Sequence, residues 1–258
     1  MRNKFHILIV AFMACVVNAI GQTVERTTQV AVGSVNRLDT YLSPLEYKGT
    51  DVRFVSDVLR YGTKAWDKQL LHEGCIDVSH NPADNANALA GHYDFSFAMM
   101  RRWEMMDGKL TLRLGGMSKV YLGFAYNMHN NANNPAQGYA SLSVGGSGMA
   151  TYSLKIGKRT FLLSYQAQLP LAGIMFSPAY GQSYYELFYE GNADGNVAFC
   201  GINTPSFRQQ IGVGIPVGKS NVITVGYLGD IHQAAPNNLK QHVYTNDFFI
   251  GFTKKICK

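Results

Sequence analysis

The sequence predicts an all-β protein: a transmembrane, antiparallel up-and-down β-barrel of about twelve strands, with about ten as the alternative. Three observations predict it. The chain alternates apolar and polar residues at period two over unusually long segments. The connections between those segments alternate between tight turns and long polar links. The N-terminus reads as an export leader.

The leader comes first. Arg2 and Lys4 form a short basic region, and residues 5–17 are apolar apart from His6. Ala19 and Gly21 then supply the small residues of a cleavage site, leaving Gln22 as the mature start. The apolar run is too short and wrongly flanked for a spanning helix. A retained anchor is the alternative, and Cys15 fits a lipid-attachment box poorly. Residues 1–21 are therefore expected to be a cleavable signal peptide, and 22–258 a single barrel domain.

Residues 140–156 show the period most plainly. Ala140, Leu142, Val144, Ala150, Tyr152, Leu154 and Ile156 share one face; Ser141, Ser143, Ser147, Met149, Thr151, Ser153 and Lys155 share the other, where only Met149 departs from polar or small character. A helix would instead group apolar residues three and four apart. Leu110, Leu112, Leu114, Val120, Leu122, Phe124 and Tyr126 likewise oppose Thr111, Arg113, Lys119 and Asn127. Phe161, Leu163, Tyr165, Ala167 and Leu169 oppose Thr160, Ser164, Gln166 and Gln168, and residues 210–217 and 247–253 repeat the alternation. Such strands, roughly 12 to 18 residues long, exceed the ~5–6 typical of soluble sheets. They suit a tilted membrane strand, which needs about 9–11 residues for the hydrocarbon alone.

Tight turns are expected at 106–108, 157–158, 192–195 and 218–220, with long links at 80–90, 128–138, 170–183 and 232–241. Strands are expected at 29–43, 50–61, 67–80, 91–105, 109–127, 139–156, 159–169, 183–190, 196–202, 207–217, 221–232 and 242–256. The ten-strand alternative places 29–61 outside the wall as a plug or arm. A soluble barrel or sandwich would also alternate, but would turn Leu142, Val144, Tyr152 and Leu154 inward.

Composition excludes several classes. Loss of Arg2 and Lys4 lowers the formal charge from +6 to +4, and the remaining positive charges are scattered, which argues against nucleic-acid binding. Charged residues are only 16% of the chain, beside 12% aromatics and 26 glycines, a balance suited to a β wall between two media. Cys75, Cys200 and Cys257 have no zinc spacing; isolated thiols are expected, with one disulfide as the alternative. Asp84, Asp94 and Asp194 stand apart, so no metal and no cofactor is expected.

The long links gather on one rim. His129, Asn133, Asn134, Gln137, Ser177, Tyr180, Gln182 and Tyr184 are the candidates for a polar binding mouth, set against the reading that Asn, Pro and Gly simply form good loops. Asp94, Arg102, Arg113, Lys119 and Glu186 fall on the expected inner face, either as ion pairs that fill the lumen or as the lining of a pore. In the stretch 183–188, Tyr185 and Leu187 would face lipid, and Tyr184 would face the lumen. A lipid hydrolase at the rim would use His129 with a nearby Ser, but Asn131 stands two residues on, so no catalytic residue is assigned.

Three motifs carry a resemblance: Asn133-Asn134-Pro135-Ala136, the run FSPAYGQSYYE at 176–186, and YLSPLEY at 41–47. Through them, residues 37–256 resemble a family of exported proteins of Bacteroidetes-type bacteria catalogued as domain of unknown function 3316. The resemblance implies an outer-membrane barrel and no assigned activity. The expectation is thus a non-enzymatic barrel in the outer membrane of a Gram-negative bacterium, acting as a small channel or surface-binding scaffold. Its expected partners are outer-membrane lipid and, during insertion, the barrel-assembly machinery; the ligand is unknown. The alternatives are a rim hydrolase and a soluble periplasmic ligand-binding barrel. Phe252 is the aromatic nearest the C-terminus able to serve as an assembly anchor.

Overall fold

The computed structural model describes residues 23–128, 135–193, 195–201 and 205–256. Eleven strands form one antiparallel sheet: β1 (Val24–Asp39), β2 (Ser43–Arg60), β3 (Trp66–His80), β4 (Asn87–Met105), β5 (Leu110–Asn127), β6 (Ala136–Ile156), β7 (Arg159–Phe176), β8 (Val197–Gly201), β9 (Phe207–Val217), β10 (Asn221–Ala234) and β11 (Gln241–Ile256). Ten of them close a barrel. Neighbours pair along the chain, β7 pairs with β9, and β1 closes on β11 from Val24↔Ile256 to Asp39↔Gln241.

The count is therefore ten, not twelve, and for a different reason than the alternative supposed. Residues 24–60 lie in the wall as β1 and β2, paired through the Val24↔Arg60 register. The two expected strands that fall out are 183–190 and 196–202. The first is a short helix, α1 (Tyr184–Phe188), because Ser183 and Glu186 form a capping box. The Ser183 hydroxyl accepts from the Glu186 N–H at 3.2 Å, and the Glu186 carboxylate accepts from the Ser183 N–H at 2.8 Å. Ser-x-x-Glu at this spacing satisfies two orphan donors of a first helical turn, and that outweighs a four-residue alternation. The second is β8, which pairs with β7 alone, at Ala172–Phe176, above the β9 ladder that reaches Gln168↔Arg208. Pro170 lies between the two ladders, beside the register shift at Gly145, where a missing N–H is tolerated.

The wall is apolar outside and polar inside. On β2, Val52 (54% exposed) and Phe54 point out while Asp51 and Arg53 are fully buried. On β3, Ile76 (60%) and Val78 point out, and Cys75 and Asp77 point in. Phe248 (79%) and Ile250 flank the outward side of β11, against buried Asp247 and Phe249. Leu142 and Val144 are exposed at 50% and 55%, and Tyr152 and Leu154 are half-buried, the reverse of what a soluble core requires. This surface suits a hydrocarbon surround, where closure of the sheet pairs each wall strand with a neighbour on both sides.

The two ends differ. Turns at 61–65, 106–109, 157–158 and 218–220 share an end with Val24 and Ile256. The tight turns need left-handed backbone: Met106, Asp107 and Gly108 have φ of 57°, 55° and 80°. The long links and α1 occupy the other end. Cys75 and Cys200 are free thiols; Cys257 lies outside the described residues, as does the expected signal peptide.

Candidate functional site

The lumen is layered, and the strand register sets the layers. Asp51, Arg53, Glu73, Asp94, Lys119, Arg208, Asp230 and Asp247 come from seven strands and meet in its middle. Arg53 is the centre. It pairs with Glu73, with Asp247 at 3.0 Å, with Asp230 at 3.4 Å and with Asp51 at 3.7 Å, and it donates to Thr245 at 2.7 Å. Arg208 takes the other Glu73 oxygen at 2.9 Å. Lys119 lies 2.5 Å from Asp94. Charges removed from water need such multiple partners, since their desolvation cost rivals their attraction.

One inward position nearer the turn end, the same strands supply Val55, Leu71, Leu228 and Phe249, which form an apolar cluster with Ala31. The Phe249 ring lies close over two glycines, whose added Cβ atoms would meet other atoms first, the Ile211 carbonyl at Gly226 and Thr224 at Gly212. A Cβ at Gly212 or Gly226 would stand 3.2 or 2.8 Å from its ring. Below this layer the lumen widens into a cavity of about 380 Å³, lined among others by Gln29, Asp57, Tyr61, Arg113, Gln166 and Gln210. Arg113 and Arg102 both hold Asp67, at 2.8 and 3.1 Å, and both guanidinium groups lie 5.0 Å from the Tyr61 ring.

Toward the loop end, Arg37 pairs with Asp77 at 2.6 Å, and Tyr139 donates to Asp39 at 2.5 Å. Tyr121 stacks on His92 (5.2 Å) and lies tilted against His232 (4.5 Å). Above them the 177–196 segment is tied down as a cap. The Tyr184 hydroxyl donates to Gln137 at 2.9 Å and accepts from the Gly138 N–H at 2.5 Å. Tyr41 donates to the Gln182 carbonyl at 2.7 Å. Asn196 and Asn237 donate to the Ser177 carbonyl at 3.0 and 3.3 Å. Burial pushes the Tyr41 phenol up to about 12 and raises that of Tyr184, so both stay protonated and able to donate at neutral pH.

The rim candidates separate. Gln137, Gln182, Ser177 and Tyr184 are used within the cap, Gln182 holding Ala179, Asn192 and Asn196. Tyr180 alone of the described candidates projects freely, at 82% exposure. His129, Asn133 and Asn134 lie outside the described residues. Among the inner-face charges, Asp94, Arg113 and Lys119 are buried in the lumen and Arg102 half-buried beside them. Glu186 is a correction: its carboxylate caps α1 instead of facing the lumen from a strand. Tyr185 is exposed, but Leu187 is buried beneath the helix, not turned to lipid. Sequence reading missed the centre itself. Asp51 and Arg53 alternate with Val52 and Phe54, and that alternation was the available signal.

Among solved structures the chain is similar to the outer membrane protease OmpT from Escherichia coli, at TM-score 0.53 and 8% identity, covering 91% of this chain and 97% of that one. At this identity the likeness speaks of fold alone: a closed barrel of the outer-membrane kind. The translocator domain of the autotransporter NalP from Neisseria meningitidis is also matched, at TM-score 0.41, 12% identity, and 99% and 95% coverage. No curated protein matches the chain. The family model described as "Protein of unknown function (DUF3316)" matches residues 8–258, and the chain belongs to that family.

Proposed function

We propose that this protein is an outer-membrane β-barrel that serves as a closed, non-enzymatic scaffold and not as an open pore. The observation that carries the reading is Arg53: fully buried, it holds four carboxylates across the middle of the lumen, directly above an apolar layer. Ions crossing would have to displace both. The outward apolar belt supports a lipid surround. By the usual orientation of such barrels the short turns and the 380 Å³ cavity face the periplasm, and the cap faces outside. Insertion would then use the barrel-assembly machinery, with outer-membrane lipid as the standing partner. The outer contact surface is the cap, where Tyr180, Tyr185, Phe188 and Tyr189 are exposed and Tyr185 stacks on Tyr189 at 4.8 Å.

The test of location is fractionation. The protein should stay in the membrane pellet after alkaline carbonate and migrate in gels as a heat-modifiable band. Release as a soluble species would contradict the reading.

A further inference from the structure

Glu73, His92, Asp94 and Asp230 each offer one donor atom, and the four atoms lie within 4.8 Å of one another. They come from β3, β4 and β10, so no spacing in the sequence announces them. We propose that these four side chains bind a divalent first-row transition cation, of the Zn²⁺ or Mn²⁺ class, inside the lumen.

Two independent observations point to a cation. The first is His92. Its side chain is 4% exposed, both ring nitrogens lack a hydrogen-bond partner, and Nε2 lies 4.0 Å from a Glu73 oxygen. A buried imidazole with neither nitrogen satisfied is costly unless something binds there. The second is charge. In this layer the carboxylates of Asp51, Glu73, Asp94, Asp230 and Asp247 face only Arg53, Lys119 and Arg208. Two negative charges are left over among side chains that are nearly all buried, Asp230 being 13% exposed, and a dication would cancel them. Asp94 Oδ1 also lacks a hydrogen bond, while Oδ2 is held by Lys119. One imidazole with three carboxylates is a mixed nitrogen and oxygen set, the kind borderline dications accept.

The competitor is present too. Lys119 sits 2.5 Å from Asp94, and Arg53 and Arg208 each occupy a Glu73 oxygen. Each carboxylate oxygen has two acceptor sites, so Glu73 can ligate while keeping its arginines. Donor atoms around a tetrahedral ion with bonds of about 2 Å stand about 3.3 Å apart, so the four side chains must draw in as the ion binds. Lys119 must then yield at Asp94, which gives the proposal a sign: removing Lys119 helps the metal.

The experiment uses the full-length barrel purified in detergent, stripped with chelator and dialysed against Zn²⁺ or Mn²⁺. Elemental analysis should find about one ion per chain, and the heat-modifiable transition should rise with metal and fall with chelator. His92→Gln should weaken uptake by at least about tenfold, and Lys119→Met should strengthen it. The proposal is overturned if neither ion binds, or if His92→Gln binds undiminished. It is equally overturned if Lys119→Met weakens uptake while staying folded. A transition that rises on acidification and ignores both metals would assign the surplus charge to protons instead.

Discussion

The two halves of the lumen face the same strands and end up opposite in character. Toward the loop end, Arg37, Arg53, Lys119 and Arg208 meet carboxylates at close range, and the cavities lined by Tyr121 and His232 are small, about 20 and 40 Å³. Toward the turn end the lining is mostly amides and hydroxyls around about 380 Å³. Inward charge therefore does not mean a pore. Opposite charges from facing strands draw together across the lumen and close it, as Arg53 with Asp230 and Arg208 with Glu73, whereas at the turn end the charges pair with strands nearby in the wall, Asp67 with Arg102 and Arg113 and Glu25 with Lys255, and leave the middle open. The apolar layer of Val55, Leu71, Leu228 and Phe249 marks the boundary.

The largest break in that comparison comes from Arg53→Ala. It leaves four carboxylates buried without their shared partner, and breaking such a network costs about 3–5 kcal/mol. Urea titration of the folded band should show a large midpoint loss. Phe249→Ala attacks the boundary layer; removing a buried aromatic costs about 3–5 kcal/mol when the site cannot collapse, and two facing glycines allow some collapse, so the lower part of that range is expected. Tyr184→Phe should be milder, about 0.5–1.5 kcal/mol, with faster amide exchange confined to 183–190. The cap should also loosen in alkali. The Tyr41 phenol is raised in the folded state, so its contribution is complete below its ordinary value near 10 and is lost as pH climbs toward about 12. Exchange at 177–196, followed against pH, checks this. Gln166→Ala on the open side should stay within about 0.5 kcal/mol, because the Gln166 Nε2 has no partner to lose.

Most of the wall was legible in the sequence. Seven of the ten wall strands match their expected bounds within four residues, because a two-residue period persists wherever one face of the sheet is apolar and the other polar; β2 begins seven residues earlier, at Ser43, and β7 runs seven residues further, to Phe176. β1 was expected at 29–43 and runs from Val24 to Asp39. What failed was local. At 184–188 five residues cannot separate period two from a helical turn, and the Ser183–Glu186 capping box, also written in the sequence, was the better guide. β8 failed because whether a short strand completes the wall depends on its partner's length, and β7 runs on to Phe176 past Pro170. The charged layer was half legible. Alternation sends Asp94, Arg113 and Lys119 inward, but which charges meet depends on the stagger between strands 20 to 177 residues apart, as for Arg53 with Glu73 and Asp230.

The most direct test of the closed lumen is the conductance of the purified barrel in a planar lipid bilayer. The account predicts insertion without stable current steps for the native chain, and steps appearing only when both barriers are removed, as in Arg53→Ala combined with Phe249→Ala. Steady ohmic conductance from the native barrel would contradict it.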